Sequence, residues 1–224
     1  MTFLQAAVLG IVQGVTEFLP ISSSAHLVLL PHWLGWSFDP NLSFAYDVLL
    51  HLGTIGAVMI YFRSEMEAIV VATLRGLWQR KPFESENARV GWLLLLATLP
   101  AGLSGLLFKD FVQSWFNTHS GVAALLLVTA FLLVVSERVG VAREKGIGSM
   151  GRMDALVIGC FQALAILPGI SRSGATMVGG VMRGLDRSTA ARFSFLMAVP
   201  VMVGAGVVTG LDVLEHRELW PDVT

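Results

Sequence analysis

The chain has 224 residues, of which 54% are hydrophobic and only 14% are charged, whereas a soluble domain usually carries about 25% charged residues. This deficit of charge argues against an ordinary soluble protein and points to lipid as the solvent of the chain. The formal net charge of −1 indicates neither a nucleic-acid partner nor another charged macromolecule. The single cysteine, Cys160, excludes an internal disulfide and a cysteine-rich metal cluster.

Two broken apolar regions, at 3–35 and 153–183, alternate with continuous apolar stretches along the chain. The continuous stretches lie at about 44–62, 90–108, 120–136 and 190–211. Each has the length of a membrane-spanning helix, which takes about 20 residues. The broken regions are interrupted at LPISSSAH and LPGISRSGAT by proline, glycine and serine. Because such a break is tolerated at membrane depth only where protein or a water-filled cavity surrounds it, we predict two re-entrant helix pairs.

The basic residues indicate how these segments are oriented, because lysine and arginine accumulate in cytoplasmic loops. Twelve of the 15 basic residues fall into three groups: Arg63, Arg75, Arg80, Lys81 and Arg89; Arg138, Arg143, Lys145 and Arg152; Arg183, Arg187 and Arg192. Lys109 and Arg217 fall in segments that we predict to lie outside, and Arg172 lies in a break. If each broken region enters and leaves on one side, the spanning helices alternate correctly with this distribution. The first broken region then opens to the outside and the second to the cytoplasm.

An internal repeat at an offset of 149 residues supports these opposite orientations. Identical pairs at this offset include Gly10 and Gly159, Gln13 and Gln162, Ile21 and Ile170, Ser22 and Ser171, Ser24 and Ser173, and Phe44 and Phe193. We therefore predict an all-α integral membrane protein with at least four spanning helices, built as an inverted-topology repeat of residues 1–149 and 150–224. The second unit has about half the length of the first. It lacks counterparts of 90–108 and 120–136, so we expect two further spanning helices after residue 224.

The serine clusters in the two breaks are candidates for an anion site. Each cluster precedes an apolar stretch that is typical of a short helix, and the free N–H groups and positive dipole end of a helix N-terminus attract anions. Ordinary N-capping by serine is the alternative for either cluster alone. The hydroxyl residues concerned are Ser22, Ser23, Ser24, Ser171, Ser173 and Thr176. Two clusters in opposed repeats favour a shared site near the bilayer midplane.

Arg172 and Glu17 are the charged residues of this predicted site. An arginine at the bilayer centre costs about 2.5–3.5 kcal/mol on insertion scales, so it requires a partner. Glu17 in a structural ion pair is one candidate partner. A phosphate is the other, because its oxygens match the planar guanidinium.

Gln13 lies four residues before Glu17, on the same face of the predicted helix. The two side chains could share a divalent cation through oxygen ligands. Alternatively, Glu17 could act as a general base, and Gln13 could form interhelical hydrogen bonds, as could its repeat equivalent Gln162.

His26 follows Ser23 by three residues, a spacing at which a helix could bring a nucleophilic hydroxyl and an imidazole base together. Asp47 and His51 lie four residues apart in a predicted spanning helix. They either orient the site or pair with each other.

The sequences QGVTEFLPISSSAH at 13–26 and PGISRSGAT at 168–176 resemble motifs of the undecaprenyl-diphosphate phosphatases, also called bacitracin resistance proteins. The similarity also includes GCFQALAILP and FSFLMAVP, so it extends along the whole chain. The resemblance implies a multi-pass enzyme of the bacterial plasma membrane with its active site on the periplasmic or outer side. It implies a hydrolase that removes one phosphate from a C55 isoprenoid diphosphate. That reaction regenerates the lipid carrier for peptidoglycan synthesis. Cell-wall synthesis, cell shape and resistance to bacitracin are implied to depend on this regeneration.

The resemblance also implies roles for individual residues. Gln13 and Glu17 correspond to the signature pair, Ser23 to the nucleophile, His26 to an acid or base, and Arg172 to a phosphate clamp. The residues expected to bind substrate are Gln13, Ser22, Ser24, Ser171, Ser173 and Thr176. A divalent cation, Mg²⁺ or Ca²⁺, is implied as cofactor, with Glu17 and Gln13 as its candidate ligands.

The predicted reaction is metal-assisted phosphoryl transfer, in which Ser23 or a water attacks the terminal phosphate. The expected partners are the isoprenoid diphosphate and membrane lipid, with a homodimer as a further possibility and no nucleic acid. A second class of function fits the same residues. An inverted-repeat transporter of a small anion, or of the lipid carrier, would use broken helices at the midplane equally well.

Overall fold

The computed structural model of the chain describes residues 1–38, 40–108, 111–112, 115, 118–139 and 144–215. The helices are α1 (Phe3–Phe18), α2 (Ser23–Trp33), α3 (Pro40–Tyr61), α4 (Arg63–Trp78), α5 (Glu86–Leu107), α6 (His119–Val139), α7 (Arg152–Leu164), α8 (Arg172–Met182) and α9 (Arg187–Glu215). A short 3-10 helix, Ile147–Ser149, precedes α7. Apart from one isolated bridge between Lys145 and Leu185, the described residues form no β-structure. The predicted all-α class is therefore confirmed.

Two helices in the described part of the chain, α5 and α6, are long and apolar enough to cross a membrane. They coincide with the predicted stretches 90–108 and 120–136. The other two predicted stretches coincide with α3, of 22 residues, and α9, of 29 residues. Both exceed the length of about 20 residues that a bilayer core requires, and their passage across the membrane stays a prediction. Of the basic residues used to predict orientation, Lys109, Arg143 and Arg217 lie outside the described residues.

Helix α4 is an element that the hydropathy pattern missed. Residues 63–78 contain several charged side chains, and we interpreted them only as part of a basic cytoplasmic connection. In the structure Phe62 alone separates α4 from α3. The helix buries Ile69 in the main core, and Glu65 accepts a hydrogen bond from Arg192 Nε at 2.7 Å. Contacts with α5 and α9 therefore stabilise a helix whose mixed composition gave only a weak signal.

Both predicted breaks are present as interruptions between two helices. The first separates α1 from α2 and contains Pro20, whereas the second separates α7 from α8 and contains Pro168. Proline has no N–H group and cannot continue the hydrogen-bond ladder of a helix. Ser22 (φ 64°) and Gly169 (φ 109°) have positive φ angles, which turn the backbone sharply before each second helix begins.

Serine caps the second helix of each pair, as the N-capping alternative predicted. Ser22 Oγ accepts a hydrogen bond from the Ala25 N–H at 3.4 Å, and Ser171 Oγ accepts one from the Gly174 N–H at 3.0 Å. Each cap satisfies a backbone donor that the helix itself leaves free. The two short helices therefore start at fixed positions, with Ser23 and Arg172 as their first residues.

The main core lies between α5, α7 and α9 and holds the second helix pair in place. Phe193 and Met197 of α9 and Ile158 of α7 are buried members of this core. Gly159 lets α7 approach α5 closely, since a Cβ atom there would lie 2.5 Å from the Ala97 carbonyl oxygen. Small residues allow such close packing between apolar helices. This core fixes the helix pair from which Arg172 projects.

A buried carboxylate ties the loop before α7 to the end of α8. Asp154 is 2% exposed and accepts hydrogen bonds from Lys145, from the Gly151 N–H at 2.8 Å and from Arg183 Nε at 3.0 Å. Burial alone would raise the pKa of Asp154, but these hydrogen bonds and the charge of Lys145 lower it below its ordinary value. The carboxylate is therefore charged at neutral pH and connects the two segments.

Candidate active site

Glu17 is the centre of the polar cluster formed by the two breaks. It lies in the last turn of α1 and is 9% exposed. Its Oε2 atom accepts hydrogen bonds from Gln13 Nε2 at 3.0 Å and from Ser23 Oγ at 2.5 Å. Its Oε1 atom forms an ion pair with Arg172 Nη2 at 2.8 Å. The structure thus brings three predicted site residues, Gln13, Ser23 and Arg172, together around the carboxylate of a fourth.

The second break is also joined directly to the backbone of the first. Ser173 Oγ lies 3.4 Å from the Glu17 carbonyl oxygen and 3.3 Å from that of Leu19, and its single hydroxyl proton can be donated to either of them. The Glu17 carbonyl lies in the last turn of α1, where no helical donor is available for it, and Leu19 is the C-cap residue of that helix. The hydrogen bonds of Ser173 therefore hold the N-terminus of α8 beside the C-terminus of α1.

Arg172 has unused hydrogen-bonding capacity. Nη2 is paired with Glu17, but Nη1 is buried and makes no hydrogen bond within the described residues. A buried N–H group without a partner is costly, because it has lost water and gained nothing in exchange. An oxygen of an anionic ligand would remove this cost. Arg172 can therefore form the structural ion pair with Glu17 and bind an anion at the same time. The sequence presented these two roles as alternatives.

Ser23 and His26 do not form the hydrogen-bonded pair that their spacing suggested. The Ser23 hydroxyl donates to Glu17, whereas His26 Nδ1 lies 2.7 Å from the backbone carbonyl oxygen of Ser22. Because that carbonyl can only accept, Nδ1 carries the proton in this contact. Glu17 is therefore the base within reach of Ser23, and the predicted acid or base role of His26 stays a prediction.

The other predicted substrate-binding hydroxyls have structural partners. Ser22 and Ser171 cap helices, and their Oγ atoms lie 3.2 Å from those of Ser24 and Ser173 respectively. Thr176 Oγ1 lies 2.7 Å from Ser194 Oγ and joins α8 to α9. These contacts make the five hydroxyl residues Ser22, Ser24, Ser171, Ser173 and Thr176 part of the framework of the site. Their contact with substrate stays a prediction.

The side-chain oxygen atoms of Gln13 and Glu17 are of the types that bind a hard divalent cation. Gln13 is fully buried, and its Oε1 atom has no hydrogen-bond partner in the described part of the chain. Amide and carboxylate oxygens are ligands that Mg²⁺ and Ca²⁺ accept. The described residues contain no group of three or more His, Cys, Asp or Glu side chains that could hold a metal ion. Gln13 and Glu17 therefore fit a cation that takes its remaining ligands from elsewhere.

The two glutamines of the repeat differ in their contacts. Gln162 Nε2 donates to the Ala97 carbonyl oxygen of α5 at 3.4 Å, so the predicted interhelical hydrogen bond is present there. Gln13 instead bonds to Glu17 on its own helix. Gln13 is therefore a member of the polar cluster and not only a packing residue.

His51 belongs to the surroundings of this cluster, a placement that the sequence left open. Its Nδ1 atom is 2.8 Å from the backbone carbonyl oxygen of Asp47, and its Nε2 atom is 3.9 Å from Glu17 Oε2. Thr54, one turn further along α3, lines a narrow cavity together with Glu17 and Arg172. The rest of the lining consists of Ile55, Val58, Ala198, Val199 and Met202. The i and i+4 spacing of Asp47 and His51 was the only signal in the sequence for this side of the site.

Known proteins resemble the chain over nearly its whole length. The family described as "Bacitracin resistance protein BacA" matches residues 6–222. The undecaprenyl-diphosphatase of Thermomicrobium roseum is 44% identical over 223 residues, which cover 96% of this chain and 78% of the relative. That of Myxococcus xanthus is 44% identical over 215 residues, covering 96% and 71%. Undecaprenyl-diphosphatase 2 of Stutzerimonas stutzeri is 45% identical over 219 residues, covering 96% and 78%. By these matches the chain belongs to the bacitracin resistance protein BacA family.

Proposed function

We propose that this chain is a membrane enzyme that hydrolyses undecaprenyl diphosphate to undecaprenyl phosphate and inorganic phosphate. The names of its relatives support this activity, and the two breaks supply a site with the required chemistry. The product is the lipid carrier of peptidoglycan synthesis, and regenerating the carrier is the basis of resistance to bacitracin. The chain therefore acts as a hydrolase of a diphosphate anhydride in the bacterial plasma membrane.

The observation that carries the proposal is the unpaired Nη1 atom of Arg172 beside the Ser23–Glu17 hydrogen bond. A guanidinium that keeps one N–H edge free can bind a phosphate oxygen while it stays attached to Glu17. The terminal phosphate then lies next to the Ser23 hydroxyl. Positioning and charge neutralisation contribute most of the rate enhancement in phosphoryl transfer, and both are provided by this arrangement.

Ser23 is the nucleophile in this mechanism and Glu17 is its base, since Ser23 Oγ donates to Glu17 Oε2 at 2.5 Å. As Ser23 Oγ attacks the terminal phosphorus, the bond from that phosphorus to the bridging oxygen breaks, and the lipid monophosphate leaves with that oxygen. Glu17 takes the hydroxyl proton. A water then attacks the phosphoserine, the bond from phosphorus to Ser23 Oγ breaks, and Glu17 returns its proton to Ser23 Oγ. Both protons of the water stay on the released inorganic phosphate. Inorganic phosphate leaves and the site is restored.

A divalent cation, Mg²⁺ or Ca²⁺, completes the proposed site. Gln13 Oε1 and the Glu17 carboxylate would hold it, because they are the buried oxygen atoms of the right type near the substrate position. When bound, the cation neutralises charge on the two phosphates.

We also propose that residues 1–149 and 150–224 form an inverted repeat with two re-entrant helix pairs. The helix boundaries support it, because α2 and α8 both have 11 residues and start at Ser23 and Arg172, which are separated by the offset of 149. The distribution of basic residues then places the opening of the first pair on the periplasmic or outer side. In this arrangement the isoprenoid tail lies among lipid-facing apolar side chains. A homodimer stays a prediction.

The activity itself is the first prediction. Purified protein in detergent should release inorganic phosphate from a long-chain prenyl diphosphate when Mg²⁺ or Ca²⁺ is present. A chelator should abolish the release, and added cation should restore it. Glu17→Gln should be inactive because it lacks the proposed base, and thermal unfolding checks that the variant is folded. Flux across sealed vesicles without any phosphate release in detergent would instead support a transporter.

Ser23→Ala should lower kcat by about 10³-fold or more, because the nucleophile is removed. Acid quenching of the parent with substrate labelled in the terminal phosphate should yield labelled phosphoserine at position 23. Ser136→Ala is the matched control, since Ser136 is buried in α6 and donates to the Leu133 carbonyl of its own helix at 2.8 Å. A Ser23→Ala variant with more than about a tenth of parental kcat would favour direct attack by water.

Arg172→Lys keeps the positive charge but loses the forked donors of the guanidinium. The loss of this contact should lower turnover by about 10² to 10³, by analogy with the removal of an oxyanion donor. Phosphate release at saturating lipid and cation measures the effect, with thermal unfolding as a test of folding. Arg192→Lys is the control, because Arg192 pairs with Glu65 at the protein surface. If Arg172→Lys keeps more than about half of parental turnover, Arg172 is only a counter-ion of Glu17.

The proposed topology can be tested by cysteine labelling in a Cys160→Ala background. Cysteines introduced at the exposed positions Ser85 and Ser149 should be protected from an impermeant thiol reagent applied to intact cells. A cysteine at Ser37, which is also exposed and follows the first helix pair, should react. Labelling of the first two positions from outside would contradict the inverted repeat.

A further inference from the structure

Thr129 of α6 forms hydrogen bonds with the second break on both sides of Ile170. Its hydroxyl donates to the Gly169 carbonyl oxygen at 3.0 Å and accepts from the Ser171 N–H, also at 3.0 Å. A threonine hydroxyl can do both at once, because it carries one donor and two lone pairs. Thr129 is 3% exposed, so water does not compete for these groups. One side chain therefore satisfies two backbone groups of the break.

Helix α6 is also the surface against which this break is packed. A Cβ atom at Gly169 would lie 2.5 Å from the Val122 carbonyl oxygen and 2.7 Å from Leu125 Cβ. The backbone at Gly169, with its positive φ angle, thus lies directly on α6. Helix α6 packs against both α2 and α8, the two helices that begin at the site. A displacement of the break from α6 would therefore be transmitted to the start of α8.

The hydrogen bond of Thr129 to Ser171 lies one residue before Arg172 in the chain. The residue that Thr129 holds, Ser171, caps α8 by accepting the Gly174 N–H at 3.0 Å. Arg172 is the first residue of that helix, and its guanidinium reaches Glu17 at 2.8 Å. Because Thr129 fixes the backbone immediately before Arg172, it fixes the position of the Arg172 Cα atom, from which the side chain extends to Glu17.

We infer that Thr129 is a positioning residue for phosphoryl transfer, acting through the Gly169–Ser171 backbone on Arg172. The inference rests on the proposed function. A misplacement of about 1 Å at a catalytic group can cost about 10²-fold in rate, so the effect of Thr129 should fall on kcat. Lipid binding through apolar contacts should change little. A purely structural role would instead show itself as a loss of stability.

The test compares three variants of the full chain in detergent. Thr129→Val keeps the shape of the side chain and removes its hydroxyl, whereas Thr129→Ser keeps the hydroxyl. Thr98→Val is the matched control, because the Thr98 hydroxyl donates to the Leu94 carbonyl of its own helix at 2.8 Å. Thr129→Val should lower kcat by about 10- to 100-fold and change KM by less than about threefold. Thr129→Ser and Thr98→Val should stay within about threefold of the parent.

A double-variant cycle separates action through Arg172 from general damage. If Thr129 works by placing the guanidinium, Thr129→Val should cost little more in an Arg172→Lys background, so the two losses should not multiply. The inference is overturned if the losses multiply fully, if Thr129→Val retains parental kcat, or if Thr98→Val loses activity equally. A fall in unfolding temperature that accounts for the lost activity also overturns it.

Amide hydrogen exchange provides a readout that does not depend on activity. Thr129→Val should accelerate exchange at the Ser171 amide, and Thr129→Ser and Thr98→Val should not. If the parent releases no phosphate, the proposed function fails, whereas accelerated exchange confined to Thr129→Val still supports control of the break by Thr129. Unchanged exchange in Thr129→Val overturns the inference whatever the activity.

Discussion

The ion pair between Glu17 and Arg172 joins residues 155 positions apart in an apolar chain. Either charge alone would be expensive to bury, and removing one partner from such a pair leaves the other uncompensated. The two breaks must therefore meet, and the helices around them must pack so that they do. The pair is also incomplete, because Arg172 Nη1 and Gln13 Oε1 are buried and form no hydrogen bond with any residue that the structure describes. The ion pair that joins the two halves of the fold therefore leaves two groups for a ligand. Arg172 Nη1 can donate to an anionic oxygen, and Gln13 Oε1 can bind a cation that accompanies the anion.

The site depends on a departure from the proposed repeat symmetry. Ser23 and Arg172 occupy equivalent positions at the start of α2 and α8, and each donates to one oxygen of Glu17. The position equivalent to Glu17 in the second unit is Ile166, so only the first break carries a carboxylate. Capping and hydroxyl pairing are alike in both units, with the paired Oγ atoms 3.2 Å apart in each. The symmetric residues thus build the frame, and the residues that differ supply the proposed nucleophile, base and clamp.

Helices outside the two motifs determine how accurately this site is held. The core of α5, α7 and α9 fixes the second pair, and close contact at Gly159 leaves α7 little freedom to shift. Thr129 of α6 holds the break itself. Helix α3 adds His51 beside Glu17, with Thr54 in the adjoining cavity. The catalytic proposal therefore involves side chains from elements that carry no recognisable motif.

The sequence by itself determined the class of protein, the all-α fold, the two breaks and the charged and hydroxyl residues within them. These features are local: apolar length, proline and glycine, serine caps and two long motifs each act within a few residues. Only the tertiary structure decided that Ser23 donates to Glu17 and not to His26, because helix spacing cannot show which of two neighbouring partners a hydroxyl faces. It also decided that 63–78 is helical and that Thr129 contacts the second break, since both depend on packing between segments far apart in the chain. Contacts of that kind leave no periodicity in one sequence, so their physical cause becomes visible only when the helices are assembled.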